Sequence, residues 1–161
     1  YIIDQAYEKK MKIIMNPSPF DDKLNTCDLG KIYLFLLNEI EGEQITGYKG
    51  KDQILYAMAE KFPNARFVLT LGSDGAVYYD GKEKVFQDIF EVKAVDTTAA
   101  GDTFTGYFIA AVIEDRSVQE ALRMAAKASS IAVSRPGATP SIPAMDEVKG
   151  KLGMQDFNKT E

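Results

Sequence analysis

The sequence predicts an α/β fold: a three-layer α/β/α sandwich around a mostly parallel sheet with a β-hairpin at one edge. Three observations carry that expectation. Two short, almost wholly apolar runs, Ile32–Leu37 and Arg66–Leu71, read as strands buried on both faces, as parallel sheets require. Helix-length stretches with one apolar face separate such runs. Alternation in Ala76–Tyr79, a turn at Asp80-Gly81 and a second run over Lys82–Phe86 read as an antiparallel hairpin.

Taken in order, residues 1–11 predict an amphipathic helix with Ile2, Ile3, Ala6 and Tyr7 on one face. Lys12–Met15 is a short apolar run ended by Asn16-Pro17-Ser18-Pro19, where two prolines forbid helix and mark the loop at a strand's C-terminal end. Ile32–Leu37 leads directly into Asn38-Glu39-Ile40-Glu41. Polar groups at the exit of a buried strand face the crevice where open α/β sheets bind ligands. The same pair also reads as an N-cap with its capping-box carboxylate. A short helix then runs through Gly47, and a second spans 51–61 with Ile54, Leu55, Met58 and Ala59 inward.

Arg66–Leu71 runs into Gly72-Ser73-Asp74-Gly75, which suits either a tight hairpin or a phosphate loop. Ile89–Val95 is expected to be the strand that delivers the turn at Ala99-Ala100-Gly101. After Asp102 a helix places Phe104, Phe108 and Val112 in the core, with Gly106 and Ala110 allowing close approach. Ser117-Val118-Gln119-Glu120 is a capping box opening an alanine-rich helix to about Val133, whose Ala121, Ala125, Ala128 and Ser129 suit tight packing on the sheet. Ser134–Pro143 is a Pro/Gly loop, 144–152 a final helix, and Gly153–Glu161 a polar tail expected to fray.

Composition narrows the chemistry. With 161 residues, 45% hydrophobic and 27% charged, the chain can bury a sizeable core as one domain. A net charge of -5 argues against non-specific nucleic-acid binding. No apolar run approaches ~20 residues, so no membrane partner is expected. The single cysteine, Cys27, reads as a small buried or half-buried side chain and suits a reducing cytosol. Zero histidines exclude Ser-His-Asp and Cys-His sites and histidine-based zinc sites. Proton transfer must therefore fall to carboxylates, lysine or tyrosine, a restriction that phosphoryl transfer tolerates.

The stretch Ala94–Ile109, A-V-D-T-T-A-A-G-D-T-F-T-G-Y-F-I, concentrates that chemistry. Small residues where a helix begins let backbone N–H groups face an anion, and the helix dipole favours negative charge there. Asp102 beside such a nest can take a proton from a substrate hydroxyl. As a bare Gly-Asp pair the same residues read as a turn glycine and an N-cap.

The full string D-T-T-A-A-G-D-T-F resembles the active-site signature of the ribokinase (phosphofructokinase B) family of sugar kinases, with Ala99 where the family often has Gly. Asn16-Pro17-Ser18-Pro19 resembles the family's N-P-x-P, Asn38 and Glu41 its N-x-x-E, Thr70-Leu71-Gly72-Ser73-Asp74-Gly75 its nucleotide loop T-x-G-x-x-G, and Ser134–Pro143 its cation loop. The resemblance implies a ribokinase-like fold and ATP-dependent phosphorylation of a sugar hydroxyl, with Asp102 as base and Ala99, Ala100, Gly101 and Asp102 as anion hole. It further implies that Asn38 and Glu41 assist Mg2+, and that Thr70, Gly72, Ser73 and Gly75 lie against ATP. Asp96, Thr98, Ala132, Arg135, Gly137 and Ser141 would enclose K+, mostly through backbone oxygens. The resemblance covers residues 1–161 as the C-terminal nucleotide-binding and catalytic part of that fold. Its N-terminal part and lid are absent, and Tyr1 suggests a fragment. The complete protein is expected to be cytoplasmic and partnered by ATP and a sugar, and the sequence leaves its oligomeric state open, a homodimer among the options. A non-catalytic nucleotide-binding module and a purely structural domain are the alternatives.

Overall fold

A computed structural model describes residues 1–153, and the tail expected to fray lies outside the described residues from 154 onward. The chain divides into two compact units, Tyr1–Phe86 and Gln87–Glu161. The architecture is α/β, with a mixed, mostly parallel sheet.

The first unit contains helix α1 (Ile2–Glu8), β1 (Ile14–Met15), β2 (Leu34–Asn38), α2 (Glu39–Thr46), α3 (Lys51–Lys61), β3 (Arg66–Thr70) and β4 (Ala76–Tyr79), with β5 (Lys84–Gln87) closing the sheet. Strand order is β1-β2-β3-β4-β5. The first three strands run parallel, and β4 turns back antiparallel to β3, pairing Thr70 with Ala76 and Phe67 with Tyr79. The apolar runs become the two central strands because both their faces are covered: Leu34 to Leu37 and Phe67 to Leu69 are all buried. Edge strand β5 instead alternates between exposed and half-buried positions.

The core gathers Phe35, Phe62 and Phe67 in a stack with ring centroids 5.1 and 6.0 Å apart, walled by Ile54, Leu55 and Met58 of α3. Ala59 is only partly buried beside them. Gly42 sets how closely α2 meets α3. A Cβ there would stand 2.6 Å from Ile54 Cγ2, so the helix that follows β2 depends on a bare backbone at this point.

The second unit consists of α4 (Ala100–Ile113), α5 (Val118–Val133) and α6 (Met145–Leu152) with their connecting loops. Helix α4 buries Thr103, Phe104, Tyr107, Phe108 and Ala111 on one face. Helix α5 opens on the expected capping box: Ser117 Oγ accepts from Glu120 N, and Glu120 Oε2 accepts from Ser117 N. Its alanine face, Ala121, Ala125 and Ala128, is fully buried. Tyr107 donates its hydroxyl to the Pro143 carbonyl at 2.6 Å, fastening α4 to the loop before α6.

Four expectations fail. Residues 89–95 form no strand; the Val95 N–H instead donates to the Val133 carbonyl, and Ile89, Val92 and Val95 stay exposed. A β-branched run becomes a strand only where another strand supplies a ladder. Gly106 is exposed, and a Cβ there would meet nothing within 4 Å, so it allows no close approach. Two residues along a helix turn about 200°, which puts position 106 opposite Phe104. Within its unit α5 packs against α4. Ile2 and Tyr7 of α1 are exposed, leaving Ile3 partly buried against the core. Cys27 is exposed, in a short turn after Asp22–Thr26 that buries nothing.

Candidate functional site

In the first unit, the sequence motifs converge at the C-terminal ends of two parallel strands. Asn38 and Thr70 end β2 and β3 as direct register partners. Asn38 is the N-cap of α2: its Oδ1 accepts from Glu41 N, and Glu41 Oε2 accepts from Asn38 N, both at 3.0 Å. The carboxylate of Glu41 is thereby held at a helix N-terminus, in a residue only 4% exposed, where the dipole favours its charge. Both readings of this pair therefore begin from one geometry: the cap is present, and it presents oxygen at the strand exit.

Thr70 Oγ1 donates to the Leu37 carbonyl at 3.4 Å, tying the two strand ends together. Gly72, Ser73 and Asp74 form one 3-10 turn, with Gly75 after it. Gly72 and Gly75 have φ of 58° and 91°, so the turn itself demands glycine at both positions. Gly72 and Ser73 are exposed, and Ser73 Oγ donates to Asp74 Oδ1 at 3.3 Å.

In the second unit, the stretch around Asp102 is a helix start without a side-chain cap. Ala99 occupies the N-cap position, so Asp102 lies at the third helical position and is not the cap. Ala99 is buried and the Ala100 N–H is already committed to the Thr97 carbonyl at 3.1 Å. Among the described residues nothing accepts from the N–H groups of Gly101 and Asp102. Gly101 is exposed, has no positive φ, and its missing Cβ would meet nothing within 4 Å. Neither backbone conformation nor internal packing therefore requires glycine at this position. The Asp102 carboxylate is exposed and has no ion pair or hydrogen bond among the described residues. Immediately after it, Thr103 is 2% exposed, with a hydroxyl that finds no partner among the described residues.

Asp96 knits the residues before the helix to the loop after α5. Its Oδ1 accepts from the Thr98 hydroxyl and N–H at 2.5 and 2.9 Å, and its Oδ2 accepts from Gly137 N at 3.0 Å. The Thr98 hydroxyl, then the N–H groups of Thr98 and Gly137, hold its carboxyl below the ordinary value of 3.8. Three of the six residues assigned to a cation loop, Asp96, Thr98 and Gly137, are thus in direct contact. Among the others, Ala132 accepts from Arg135 N, and the buried Ser141 donates to the Ala138 carbonyl at 2.7 Å. The Arg135 guanidinium pairs with Glu147, which also takes Lys151 at 3.0 Å. These donors are oxygens, the type that hard cations such as K+ and Mg2+ prefer. No cluster of three or more acidic, histidine or cysteine side chains forms a metal cage among the described residues. Mg2+ here would need phosphate and water oxygens to complete its shell.

One contact was not legible as functional. Ser129 Oγ donates to the Ala100 carbonyl at 3.1 Å, across 29 residues of sequence. The signal was a hydroxyl in an otherwise alanine-lined helix, which size alone does not explain.

Comparison with known proteins gives a consistent picture. The model of the pfkB family carbohydrate kinases matches residues 2–145. The ribokinase of Lactococcus lactis is 32% identical over 151 residues, covering 94% of this chain and 48% of its own length. That of Haemophilus influenzae is 35% identical over 150 residues, covering 88% and 47% respectively. The structure of Arabidopsis thaliana ribokinase complexed with ribose and ATP superposes with a TM-score of 0.82 at 30% identity, over 96% of this chain and 51% of that one. The chain spans about half the length of the curated relatives it matches.

Proposed function

The chain belongs to the pfkB family of carbohydrate kinases, and on that premise we propose that it carries the nucleotide-binding and catalytic residues of an ATP-dependent sugar kinase. One observation carries the reading: an unpaired, exposed Asp102 beside two uncommitted N–H groups at an uncapped helix start. Asp102 takes the proton of a sugar hydroxyl as that oxygen bonds to the γ-phosphorus of ATP. The bond from that phosphorus to the bridging oxygen breaks, ADP leaves, and the proton remains on the carboxyl group. The N–H groups of Gly101 and Asp102 stabilise charge spread over the transferring phosphoryl oxygens. Gly101 is bare because a side chain would stand where the phosphoryl group approaches.

Thr70, Gly72, Ser73 and Gly75 would lie against the nucleotide, and Asn38 and Glu41 would assist Mg2+ through water. The magnesium ion, when bound with ATP, neutralises phosphate charge. Asp96, Thr98, Gly137, Ala132, Arg135 and Ser141 would hold K+, whose charge would steady the segment leading into the helix. Among the described residues no helix is long and apolar enough to cross a membrane. A cytoplasmic homodimer is the form proposed for the complete protein.

The test is calorimetry with ATP followed by a phosphorylation assay over a panel of sugars, using the complete protein. Saturable ATP binding with sugar-dependent ADP release supports the kinase. Binding without transfer to any sugar would replace it with a nucleotide-binding module.

A further inference from the structure

Helix α5 holds the segment that leads into the proposed anion hole at two points spaced one helical turn apart. The carbonyl of Val133, at the end of α5, accepts the N–H groups of Val95 and Asp96 at 2.9 and 3.1 Å. The last carbonyls of a helix have no partner within it, so this one is free to receive them. Four residues earlier on the same face, Ser129 Oγ donates to the Ala100 carbonyl. The segment from Val95 to Ala100 is therefore held at both ends by one helix, and the donors of Gly101 and Asp102 follow directly after the second hold.

The chemistry of that second hold is selective. The Ala100 carbonyl already serves the first turn of α4 as an intrahelical acceptor, so its second lone pair would not be left wanting without Ser129. The neighbouring contact positions Ala125, Ala128 and Ala132 are small and buried, which shows that packing here asks for size and not for a hydroxyl. The N-cap of α4 makes no side-chain hydrogen bond, and Ser129 reaches the backbone of its first turn from another helix. A bond to the outer lone pair of an N-terminal carbonyl fixes the tilt of its peptide plane. That plane contains the Gly101 N–H.

We propose that Ser129 is a positioning residue for phosphoryl transfer: through the Ala100–Gly101 peptide it aims the Gly101 donor and sets the direction in which Asp102 leaves the helix. This assignment rests on the kinase reading above. It predicts a split between kinetic constants, because the hydroxyl touches neither nucleotide nor sugar.

The experiment compares Ser129→Ala, Asp102→Asn and the double variant in the complete protein. It is joined by the amide NMR resonance of Gly101 in the parent and the Ser129→Ala protein. Ser129→Ala is expected to melt with the parent and keep KM for ATP within about twofold, while kcat falls about three- to tenfold. In the Asp102→Asn background the same substitution is expected to cost less than in the parent, since one of the two groups it aims is gone. The Gly101 amide resonance is expected to shift in the Ser129→Ala protein, since its peptide plane is no longer held by the Ser129 hydroxyl. Unchanged kcat in a folded Ser129→Ala protein overturns the proposal, as does an unmoved Gly101 resonance. A shifted resonance in a protein whose parent transfers no phosphate to any sugar keeps the contact with the Ala100–Gly101 peptide and removes the kinase reading on which the role in transfer rests.

Discussion

Asn38 and Thr70 stand side by side at the ends of parallel strands β2 and β3, and Thr70 donates back to the Leu37 carbonyl at 3.4 Å. Two motifs separated by 32 positions in sequence thus share one sheet end. Asn38→Ala removes the cap of α2 and is expected to lower stability by about 1 kcal/mol, read from denaturant midpoints. Asn38→Ser keeps a capping oxygen and should recover most of that loss. Glu41→Gln keeps an acceptor for Asn38 N, so its effect should fall on Mg-ATP affinity, with metal-free ATP binding little changed by calorimetry.

Asp102→Asn is expected to leave the melting temperature and ATP affinity of the complete protein intact, because the carboxylate supports no contact among the described residues. Turnover should fall about 10²–10⁴-fold, the usual contribution of a positioned base. Near-normal kcat would reject the base assignment.

Gly101→Ala separates fold from function. The added methyl enters open space in a helical backbone, so stability should hold or rise by about 0.5–1 kcal/mol. Activity should nevertheless drop at least tenfold if a phosphoryl group must approach that spot. A melt and a turnover measurement on one sample decide it.

Thr103→Val tests the unpaired hydroxyl. A buried hydroxyl without a partner costs about 1–3 kcal/mol, and valine removes it at nearly constant shape. The variant should melt at or above the parent temperature. A clear drop would show that the hydroxyl has a partner in solution.

Acid should loosen the second unit through Asp96. Its folded pKa lies below the ordinary value of 3.8, so the stability it contributes is present above that value and is lost as pH falls through the folded pKa. Glu147, held down first by Arg135 and then by Lys151, acts in the same direction. Asp96→Asn should flatten the acid limb of a pH-dependent melt below about pH 4 while lowering stability at neutral pH.

What could be read from sequence was whatever a few neighbouring residues decide. Asn38 with Glu41 and Ser117 with Glu120 announce helix starts because the capping box closes over three residues. The run from Leu34 to Leu37 announces a buried strand because nearly every side chain is apolar. Ile89–Val95 was misread because β-branched residues specify extended backbone only where a partner strand exists. Gly106 was misread because smallness says nothing about the direction a helix face points. Ser129 and Thr103 were passed over for the converse reason: their roles depend on an atom in another turn, which no local pattern encodes.

The Val133 carbonyl, described above as the resting place of the Val95 and Asp96 amides, makes those two protons a remote gauge. They belong to no helix of their own, yet their exchange with deuterium is slowed by the carbonyl that ends α5. A molecule that steadies the phosphate cradle should therefore announce itself by silencing exchange at two backbone positions it never touches.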